Sequence, residues 1–206
     1  MTYPASDIAF TPSVKAVQAS RGSREIYARR EAASAGFQTE ITPDLVEFLS
    51  AVDTAYLATA NAEGQPYAQH RGGPKGFIRV VGERTLGFAD FRGNRQYVTT
   101  GNLKENDKAF LFLMDYAHRR RIKLWGRARV SEDSGVISAL TPENYRARPE
   151  QAILFDVEAW DVNCPQHIPQ KIDAEDVALA LASLQERIAR LEEENAALKS
   201  AASAGG

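Results

Sequence analysis

The chain has 206 residues, of which 44% are hydrophobic and 25% charged, a composition typical of a globular protein and not of a disordered or fibrous one. Its 25 Lys and Arg residues against 27 Asp and Glu residues give a net charge of −2. The chain as a whole is therefore not a polyanion binder, and any cationic site must be local.

The sequence carries no sign of secretion or membrane insertion. The single cysteine excludes an internal disulfide framework and fits a reducing compartment. The first residues lack a basic segment followed by an apolar core, and no apolar run approaches the ~20 residues that span a bilayer. We therefore expect a cytoplasmic protein without a membrane partner.

The N-terminal part predicts an arm followed by a helix. Val14–Ala33 is rich in helix formers but is interrupted by Gly22, which indicates an arm or a broken helix lying on the body. Thr42 and Pro43 form a hydroxyl N-cap followed by proline at the first helical position. They predict a helix over Pro43–Val52, with core residues Leu45, Val46, Phe48, Leu49 and Val52.

From Thr54 onwards the hydrophobic pattern is that of strands. The strand-like runs are TAYLATA, YAQHR, FIRVVG, TLGFADF, AFLFLMDY, IKLWGRARV and AILFDVEAWDV. A short helical stretch is expected near Pro142–Arg148, before the last run. Several strands at short spacing with few helices between them indicate an antiparallel barrel or sandwich, mainly β with peripheral helices.

The C-terminal segment has the seven-residue repeat of a coiled coil. Apolar residues recur at alternating spacings of four and three, at Val177, Leu181, Leu184, Ile188, Leu191 and Leu198. Asn195 occupies one of the core positions, and the flanking residues Arg187, Glu192, Glu194 and Lys199 have complementary charges. The pattern favours a parallel two-stranded coil that assists a dimer. An amphipathic helix packed on its own domain is the alternative.

A strand-to-helix turn in the middle of the chain is the first candidate site. In FADFRGNRQYVTTGNL, residues 88–103, Arg92 and Arg95 flank a turn between a predicted strand and a predicted helix. Free N–H groups at a helix start, beside guanidinium groups, are suited to binding an anion. The alternative is a solvated turn. No nucleotide-binding P-loop and no GxGxxG motif is present.

A second basic run, His118–Lys123, has the sequence HRRRIK. The alternation of a strand puts Arg121 and Lys123 on one side and Ile122 and Leu124 on the other, so two cations could reach into a cleft. The alternative is again a solvated turn. One short basic run in a chain of balanced charge argues against a nucleic-acid partner.

The segment Asn163–Pro169 brings the only cysteine close to a histidine, since Cys164 and His167 are three residues apart. Structural zinc needs four ligands, and this chain offers one cysteine and three scattered histidines, so we expect no metal site. A nucleophilic Cys–His pair lacks an evident orienting acid. The simplest interpretation is a chain reversal after the last strand.

The order of these motifs resembles the pyridoxamine 5′-phosphate oxidase-like flavin-binding proteins, and in particular the bacterial branch of predicted flavin-nucleotide-binding proteins. The resemblance covers roughly Asp7–Pro169 and includes the stretches HRGGPKGFIRVV, FADFRGNRQYVTTGNL and RRRIKLWGRARV. It implies an antiparallel split β-barrel (α+β) that forms a homodimer with FMN between two subunits. The expected organisation is an N-terminal arm (1–40), a flavin-binding barrel (41–170) and a C-terminal dimerising helix (173–200).

The resemblance also implies a set of flavin-binding positions. In this sequence they are Gln69, His70, Arg71, Gly72, Gly73, Ala89, Asp90, Asn94, Arg95, Gln96, Arg121, Lys123 and Trp160. Asn94, Arg95 and Gln96 match a Ser-Arg-Lys that grips the flavin phosphate in the oxidases, so the arginine is kept and the lysine is replaced. Glycine at 72 and 73 is suited to close approach of backbone to a flat ring.

The resemblance implies flavin binding more directly than it implies a reaction. The residues that hold the substrate phosphate in the oxidases have no evident counterpart in this chain. We therefore expect an FMN-dependent oxidoreductase acting on a small redox substrate, with no catalytic residue assigned. The alternatives are a flavin-storing or flavin-sensing protein without turnover, or a heme-binding relative whose axial ligand would be His70, His118 or His167.

Overall fold

The structure is a computed structural model that describes residues 4–33, 36–162 and 164–204. Parts of the predicted arm and Asn163 of the predicted chain reversal lie outside the described residues. The described residues fall into two compact units, one within Met1–Asp115 and Arg119–His167, and the other within Tyr116–His118 and Ile168–Gly206.

The first unit is built on one antiparallel sheet. Its described strands are β1 (Thr54–Ala60), β2 (Pro66–Gly72), β3 (Arg79–Val80), β4 (Thr85–Phe91), β5 (Lys108–Asp115), β6 (Arg120–Ser131) and β7 (Pro149–Val162). They are hydrogen-bonded in the order β2-β1-β5-β6-β7-β4-β3, so the sheet curls without closing. This confirms the antiparallel split-barrel fold with peripheral helices.

Alternation along the strands places the core on one face of the sheet. In β1, Ala55 and Leu57 are buried while Tyr56 and Ala58 are only partly covered. In β6, Ile122 and Leu124 are buried, and Arg121 and Lys123 lie on the other face. The expected division of the basic run between two faces is therefore confirmed.

Three helices cover or connect the strands. They are α3 (Pro43–Ala51), α4 (Val98–Glu105) and α5 (Ser134–Leu140), and they follow α1 (Pro12–Ser20) and α2 (Arg24–Ala32) of the arm. The side chain of Thr42 caps α3 by accepting a hydrogen bond from the Leu45 N–H, and Leu45, Phe48 and Leu49 pack into the core. Because α4 follows β4 directly, the predicted strand-to-helix turn lies at residues 92–97.

The helix expected near Pro142–Arg148 is wrong. Residues 142–148 form a turn and extended backbone, and the helix of this region is α5, which begins earlier. The Asp133 side chain caps α5 by accepting from the Val136 N–H at 2.9 Å. Residues 142–148 lack an apolar face, and Pro149 disfavours a helical conformation at the residue before it.

The N-terminal arm is helical and is broken where the sequence predicted. Helix α1 spans Pro12–Ser20 and α2 spans Arg24–Ala32, separated by Gly22 with a left-handed φ of 75°. An aromatic series then joins the arm to the sheet. The ring of Phe10 contacts those of Tyr27 and Phe37, and the Phe37 ring lies 5.0 Å from that of Trp125 on β6.

The second unit contains one long described helix, α6 (Ala174–Ala204). Within this unit, the Lys171 N–H donates to the Tyr116 carbonyl at 3.3 Å, and the Lys171 ammonium lies 4.3 Å from the Tyr116 ring centroid. No residue of α6 is buried. Among the described residues, no helix is both long and apolar enough to cross a lipid bilayer.

Candidate functional site

A polar cleft opens where β4 ends and α4 begins. It measures about 370 Å³ including its open mouth and is lined by Gln69, Arg71, Asp90, Phe91, Gly93, Asn94, Arg95, Tyr97, Thr99, Thr100 and Glu150. Its walls are contributed by β2, β4, the following turn, α4 and β7. Five of the predicted flavin-binding positions therefore come together here, namely Gln69, Arg71, Asp90, Asn94 and Arg95.

The backbone of the turn is held in an unusual conformation. Arg95 and Tyr97 have φ values of 62° and 54°, in the left-handed region that non-glycine residues rarely adopt. The Asn94 side chain accepts a hydrogen bond from the Gln96 N–H at 3.2 Å, which fixes the turn. Strained non-glycine backbone of this kind is concentrated at functional sites.

Helix α4 begins at this turn without a side-chain cap. Tyr97 occupies the N-cap position, and its side chain makes no capping hydrogen bond to the first N–H groups of the helix. The positive end of the helix dipole therefore faces the cleft, where an anion could accept hydrogen bonds from these groups.

Arg95 lies at the mouth of the cleft and is held by a neighbouring side chain. Its Nε donates to the Tyr97 hydroxyl at 3.3 Å, and that hydroxyl lies 3.3 Å from Oε2 of Glu150. The hydrogen bond to Tyr97, with smaller contributions from the charges of Tyr97 and Glu150, raises the pKa of Arg95 above its usual value. Arg95 is thus a permanent cation at the entrance of the cleft.

Arg71 supplies a second, largely buried guanidinium. It forms an ion pair with Asp90, and the side chains are only 11% and 13% exposed. Its Nε is buried and has no hydrogen-bond partner among the described residues. A buried N–H without an acceptor is costly, so the cleft contains a donor suited to a ligand oxygen.

Three side-chain hydrogen bonds join the elements behind the cleft, two of them between α4 and the sheet and one between β7 and β4. The Thr99 hydroxyl donates to Gln69 at 2.9 Å. The Gln151 amide donates to Asp90 at 2.8 Å and to Thr100 at 2.9 Å. Sequence reasoning missed Thr99, Thr100 and Gln151, and also Glu150 and Tyr97, because only the tertiary fold brings β7 and α4 to the end of β4.

The remaining predicted positions on β2 and just after it lie outside the cleft. His70 is exposed, and its ring lies 5.7 Å from that of Tyr56. A Cβ at Gly72 would lie 2.9 Å from the His70 imidazole, and one at Gly73 would lie 2.6 Å from the Cβ of Phe77. In this chain both glycines therefore make room for neighbouring side chains.

Two predicted positions near the turn are directed elsewhere. The Ala89 side chain is 5% exposed and packs with Leu140 and Ala152 in a small apolar cluster beneath α5. Gln96 is exposed and does not line the cleft. Because its side chain is buried in this cluster, Ala89 could contact a ligand in the cleft only through its backbone.

Arg121, Lys123 and Trp160 belong to another region of the same chain. Arg121 donates to the Cys164 carbonyl at 3.2 Å, and its Nε is buried without a partner among the described residues. Lys123 pairs with Asp161 at 3.2 Å. Trp160 is 5% exposed, and its indole N–H donates to the Glu40 carbonyl at 2.7 Å.

The segment after β7 turns at Gln166 and His167, as the chain reversal predicts. Cys164 is exposed, and His167 adopts a left-handed φ of 62°. Within residues 4–33, 36–162 and 164–204, no group of three His, Cys, Asp or Glu side chains is arranged to hold a metal ion.

A family model described as pyridoxamine 5′-phosphate oxidase matches residues 41–164, which include the whole sheet and the cleft. The chain belongs to this family. The match confirms the resemblance that the strand and turn motifs indicated. A search of curated proteins found no significant match.

Solved structures of similar fold share little sequence with this family member. HupZ from Group A Streptococcus is 16% identical with a TM-score of 0.49, over 64% of this chain and 99% of that one. An FMN-binding protein from Syntrophomonas wolfei is 13% identical with a TM-score of 0.46, over 67% and 95%. A Clostridium acetobutylicum protein related to general stress protein 26 is 14% identical with a TM-score of 0.43, over 64% and 92%.

Proposed function

We propose that this protein is an FMN-binding flavoprotein that acts as an oxidoreductase on a small molecule, with the flavin phosphate bound in the cleft between β4 and α4. The observation that supports this most directly is the unpartnered Nε of Arg71, buried in a cleft that also contains Arg95 and an uncapped helix start. These are three independent features suited to one anion.

The chemistry of the cleft fits a phosphate ester attached to a polar chain. The guanidinium of Arg71 and the first N–H groups of α4 would donate hydrogen bonds to the phosphate oxygens. Arg95, at the entrance of the cleft, would neutralise the charge of the phosphate. Gln69 and Asn94 provide amide groups for ribityl hydroxyls. The 370 Å³ of the cleft includes open solvent, and the enclosed space is about 50 Å³. This is well below the volume of ordinary ligand pockets, so the flavin ring would extend out of the cleft.

The carboxylates in the cleft set a limit on how strongly an anion binds. Asp90 already pairs with Arg71, and Glu150 lies beside Tyr97 and 3.7 Å from the Arg92 guanidinium. A phosphate would therefore compete with Asp90 for Arg71, while the buried Nε gives it a donor that Asp90 leaves free. The arrangement favours a ligand that also binds through its uncharged parts.

The proposal includes a homodimer in which a second copy completes the flavin site. Arg121 and Lys123 lie on the outer face of the sheet and do not line the cleft of their own chain. In the proposed dimer these two cations reach the flavin from the second copy, on the face that also presents Tyr56, Phe110 and Phe112. Trp160 has no part in it, because its indole is buried and hydrogen-bonded.

A bound flavin would supply the redox chemistry by accepting a hydride or electrons and passing them on. The residues of the chain would set access and electrostatics around it. His70, exposed on β2, offers a donor toward a reduced, negatively charged ring, and the permanent charge of Arg95 holds the phosphate end. This division of tasks requires no protein side chain to act as acid or base.

The first test is the visible absorption spectrum of the purified protein, followed by release and identification of the chromophore. Twin flavin bands with FMN in the released fraction are expected, together with bleaching when a nicotinamide donor is added without oxygen. Tight FMN binding without reduction of the flavin by any donor would overturn the proposed oxidoreductase activity but not the proposed flavin binding. A colourless protein that ignores added FMN, or a Soret band, would overturn flavin binding.

A further inference from the structure

Helix α6 exposes an apolar stripe along its full length. Leu184 is 56% exposed, Ile188 54% and Leu191 49%, and Leu198 at the far end is 71% exposed. Helices in proteins owe most of their stability to packing of an apolar face. A 31-residue helix with an apolar stripe and no buried residue therefore calls for a partner.

The stripe follows a seven-residue period with a defined register. In the notation a to g, Leu184, Leu191 and Leu198 are at d, and Leu181 and Ile188 are at a. Asn195 is the single polar residue among these positions. Isoleucine at a with leucine at d favours two parallel strands, and one asparagine at a fixes register and number of strands.

Three of the four charges beside the stripe, those of Arg187, Glu192 and Lys199, lack an opposite charge three or four residues away on their own helix, whereas Glu194 has Arg190 there. Arg187 has serine, leucine and arginine at the positions three and four residues away, and Glu192 has only isoleucine, alanine and asparagine there. Side chains five apart on one helix do not face each other. In a parallel pair, however, Arg187 at g faces Glu192 at e of the second helix, and Glu194 likewise faces Lys199.

We infer that α6 forms a parallel, two-stranded coiled coil with α6 of a second copy of this chain. An antiparallel arrangement would place each Asn195 opposite a leucine and leave its buried amide unpaired, whereas the parallel one places the two asparagines together. This inference does not depend on the flavin, because it rests on residues 177–199 alone.

Disulfide trapping in the full-length chain distinguishes the arrangements. With Cys164 replaced by serine, one variant carries Leu198→Cys at a d position and its control carries Ser200→Cys at the outward f position. In a parallel coil, only position 198 lies close enough to the same position of the second helix for a disulfide, which requires Cα atoms within about 7 Å of each other. In an antiparallel coil the two residues 198 would lie roughly 30 Å apart at a 1.5 Å rise.

We expect Leu198→Cys to form a covalent dimer at least tenfold faster than Ser200→Cys in a glutathione redox buffer. Equal rates, or no covalent dimer at all, would overturn the parallel coil. Light scattering on the trapped species must give the mass of two chains, because a larger assembly would contradict the two-stranded form. Flavin content is recorded in the same samples, so a failure of flavin binding remains separate from a failure of pairing.

Charge reversal provides a second test with the same readout. In the Leu198→Cys background, Arg187→Glu should slow trapping roughly tenfold, since two attractive pairs become repulsive, and adding Glu192→Arg should restore it. Arg190→Glu changes the net charge equally but lies at an outward c position, where it alters only weak pairs within its own helix, such as those with Glu186 and Glu194, so it should slow trapping far less than Arg187→Glu. If Arg190→Glu slowed trapping as much as Arg187→Glu, the proposed pairing of Arg187 with Glu192 would be wrong.

Discussion

The two arginines of the cleft differ in their burial and in the contacts that they make in the absence of a ligand. Arg71 is almost covered and pairs with the largely buried Asp90, so its replacement would leave this carboxylate with the Gln151 amide but without a cation and would destabilise the fold. Arg95 is exposed and makes one hydrogen bond, to Tyr97. Arg95 is therefore the residue at which ligand binding can be tested without disturbing the barrel.

At Arg95, alanine should weaken FMN binding roughly ten- to a hundredfold, because a charge-assisted hydrogen bond contributes about 1.5–3 kcal/mol. Binding is measured by quenching of flavin fluorescence. Arg119→Ala is the matched control, since Arg119 is also an exposed arginine with a left-handed φ, of 53°. Unchanged affinity in Arg95→Ala would show that the phosphate lies elsewhere.

Glu150 places a negative charge where the phosphate is expected, so its neutralisation should favour binding. We predict that Glu150→Gln tightens FMN binding about two- to fivefold, an effect that salt reduces because the site is open to solvent. Glu158→Gln, on the same strand but paired with Arg127 at 2.9 Å, should leave the affinity unchanged. Weaker binding in Glu150→Gln would mean that the carboxylate itself contacts the ligand.

The composition of the cleft could be predicted only where its residues are close in sequence. Asn94 and Arg95 are found by reading one turn, and Gln69, Arg71 and Asp90 through the family resemblance, whereas Arg92 of the same turn does not line the cleft. Thr99 and Gln151 could not be found, because their roles are hydrogen bonds to side chains 30 and 61 residues away. The only local sequence signal for such residues is a polar residue in an otherwise apolar strand, as at Gln151.

Among the secondary-structure elements, the paired strands β6 and β7 leave the least room for one added side-chain atom. At Gly126 the register of this pair shifts, and an added Cβ would lie 2.0 Å from the Asp156 carbonyl oxygen. Gly126→Ala should therefore cost about 3 kcal/mol or more, since backbone must move. Gly101→Ala, in α4 with nothing within 4 Å, should stabilise by about 0.5–1 kcal/mol through helix propensity.

Urea unfolding followed by circular dichroism measures both glycine variants against the wild type. Equal stability of Gly126→Ala and the wild type would show that β7 can shift away from β6 at little cost. A destabilised Gly101→Ala would show that α4 packs more tightly than its exposed glycine indicates.

The folded arm should lose stability at low pH. Burial raises the pKa of Glu31, but hydrogen bonds from Arg24 and Ser6 outweigh it, so the pKa lies below the usual 4.5. A carboxylate with a lowered pKa stabilises the folded arm above that range, and the effect is lost as the pH falls through it. Because the ion pair is only partly buried, we expect a contribution of about 0.5–1 kcal/mol.

Thermal unfolding of Glu31→Gln tests this pH dependence. The variant should lie below the wild type in melting temperature at pH 7 and converge with it below about pH 4. Glu63→Gln, in the exposed turn between β1 and β2, should follow the wild type throughout. A constant difference between Glu31→Gln and the wild type at all pH values would rule out the ion pair as its cause.

The elements that could be predicted are those with strong local signals. Strands β1 and β4 match their predicted ends because apolar and small residues alternate between turn-forming residues. The Thr-Pro pair at residues 42–43 begins a helix, whereas the same pair at 141–142 does not, because only the first is followed by an apolar face. The pattern of apolar residues over two helical turns, more than the capping residue, thus determines whether a helix forms.

At the scale of the whole molecule, the barrel and α6 would both contribute to the affinity of the proposed dimer. Truncation before Asp173 removes α6 and should weaken the dimer without abolishing it, as measured by sedimentation equilibrium, while FMN binding remains. Removal of residues 200–206 alone, beyond the last leucine of the repeat, is the control and should change neither property. A monomeric barrel that still binds FMN normally would contradict a flavin site completed by a second copy.

The position of β7 in the sheet constrains the order in which the chain assembles. β7 is the last strand along the chain, yet it lies between β6 and β4 and also exchanges hydrogen bonds of 2.8 Å with Gln38 through Trp160. During synthesis, β4 and Gln38 therefore lack their β7 partners until residue 160 has left the ribosome. Until then β4 presents an open edge to other chains, so this protein depends on its final strand to escape aggregation while it is being made.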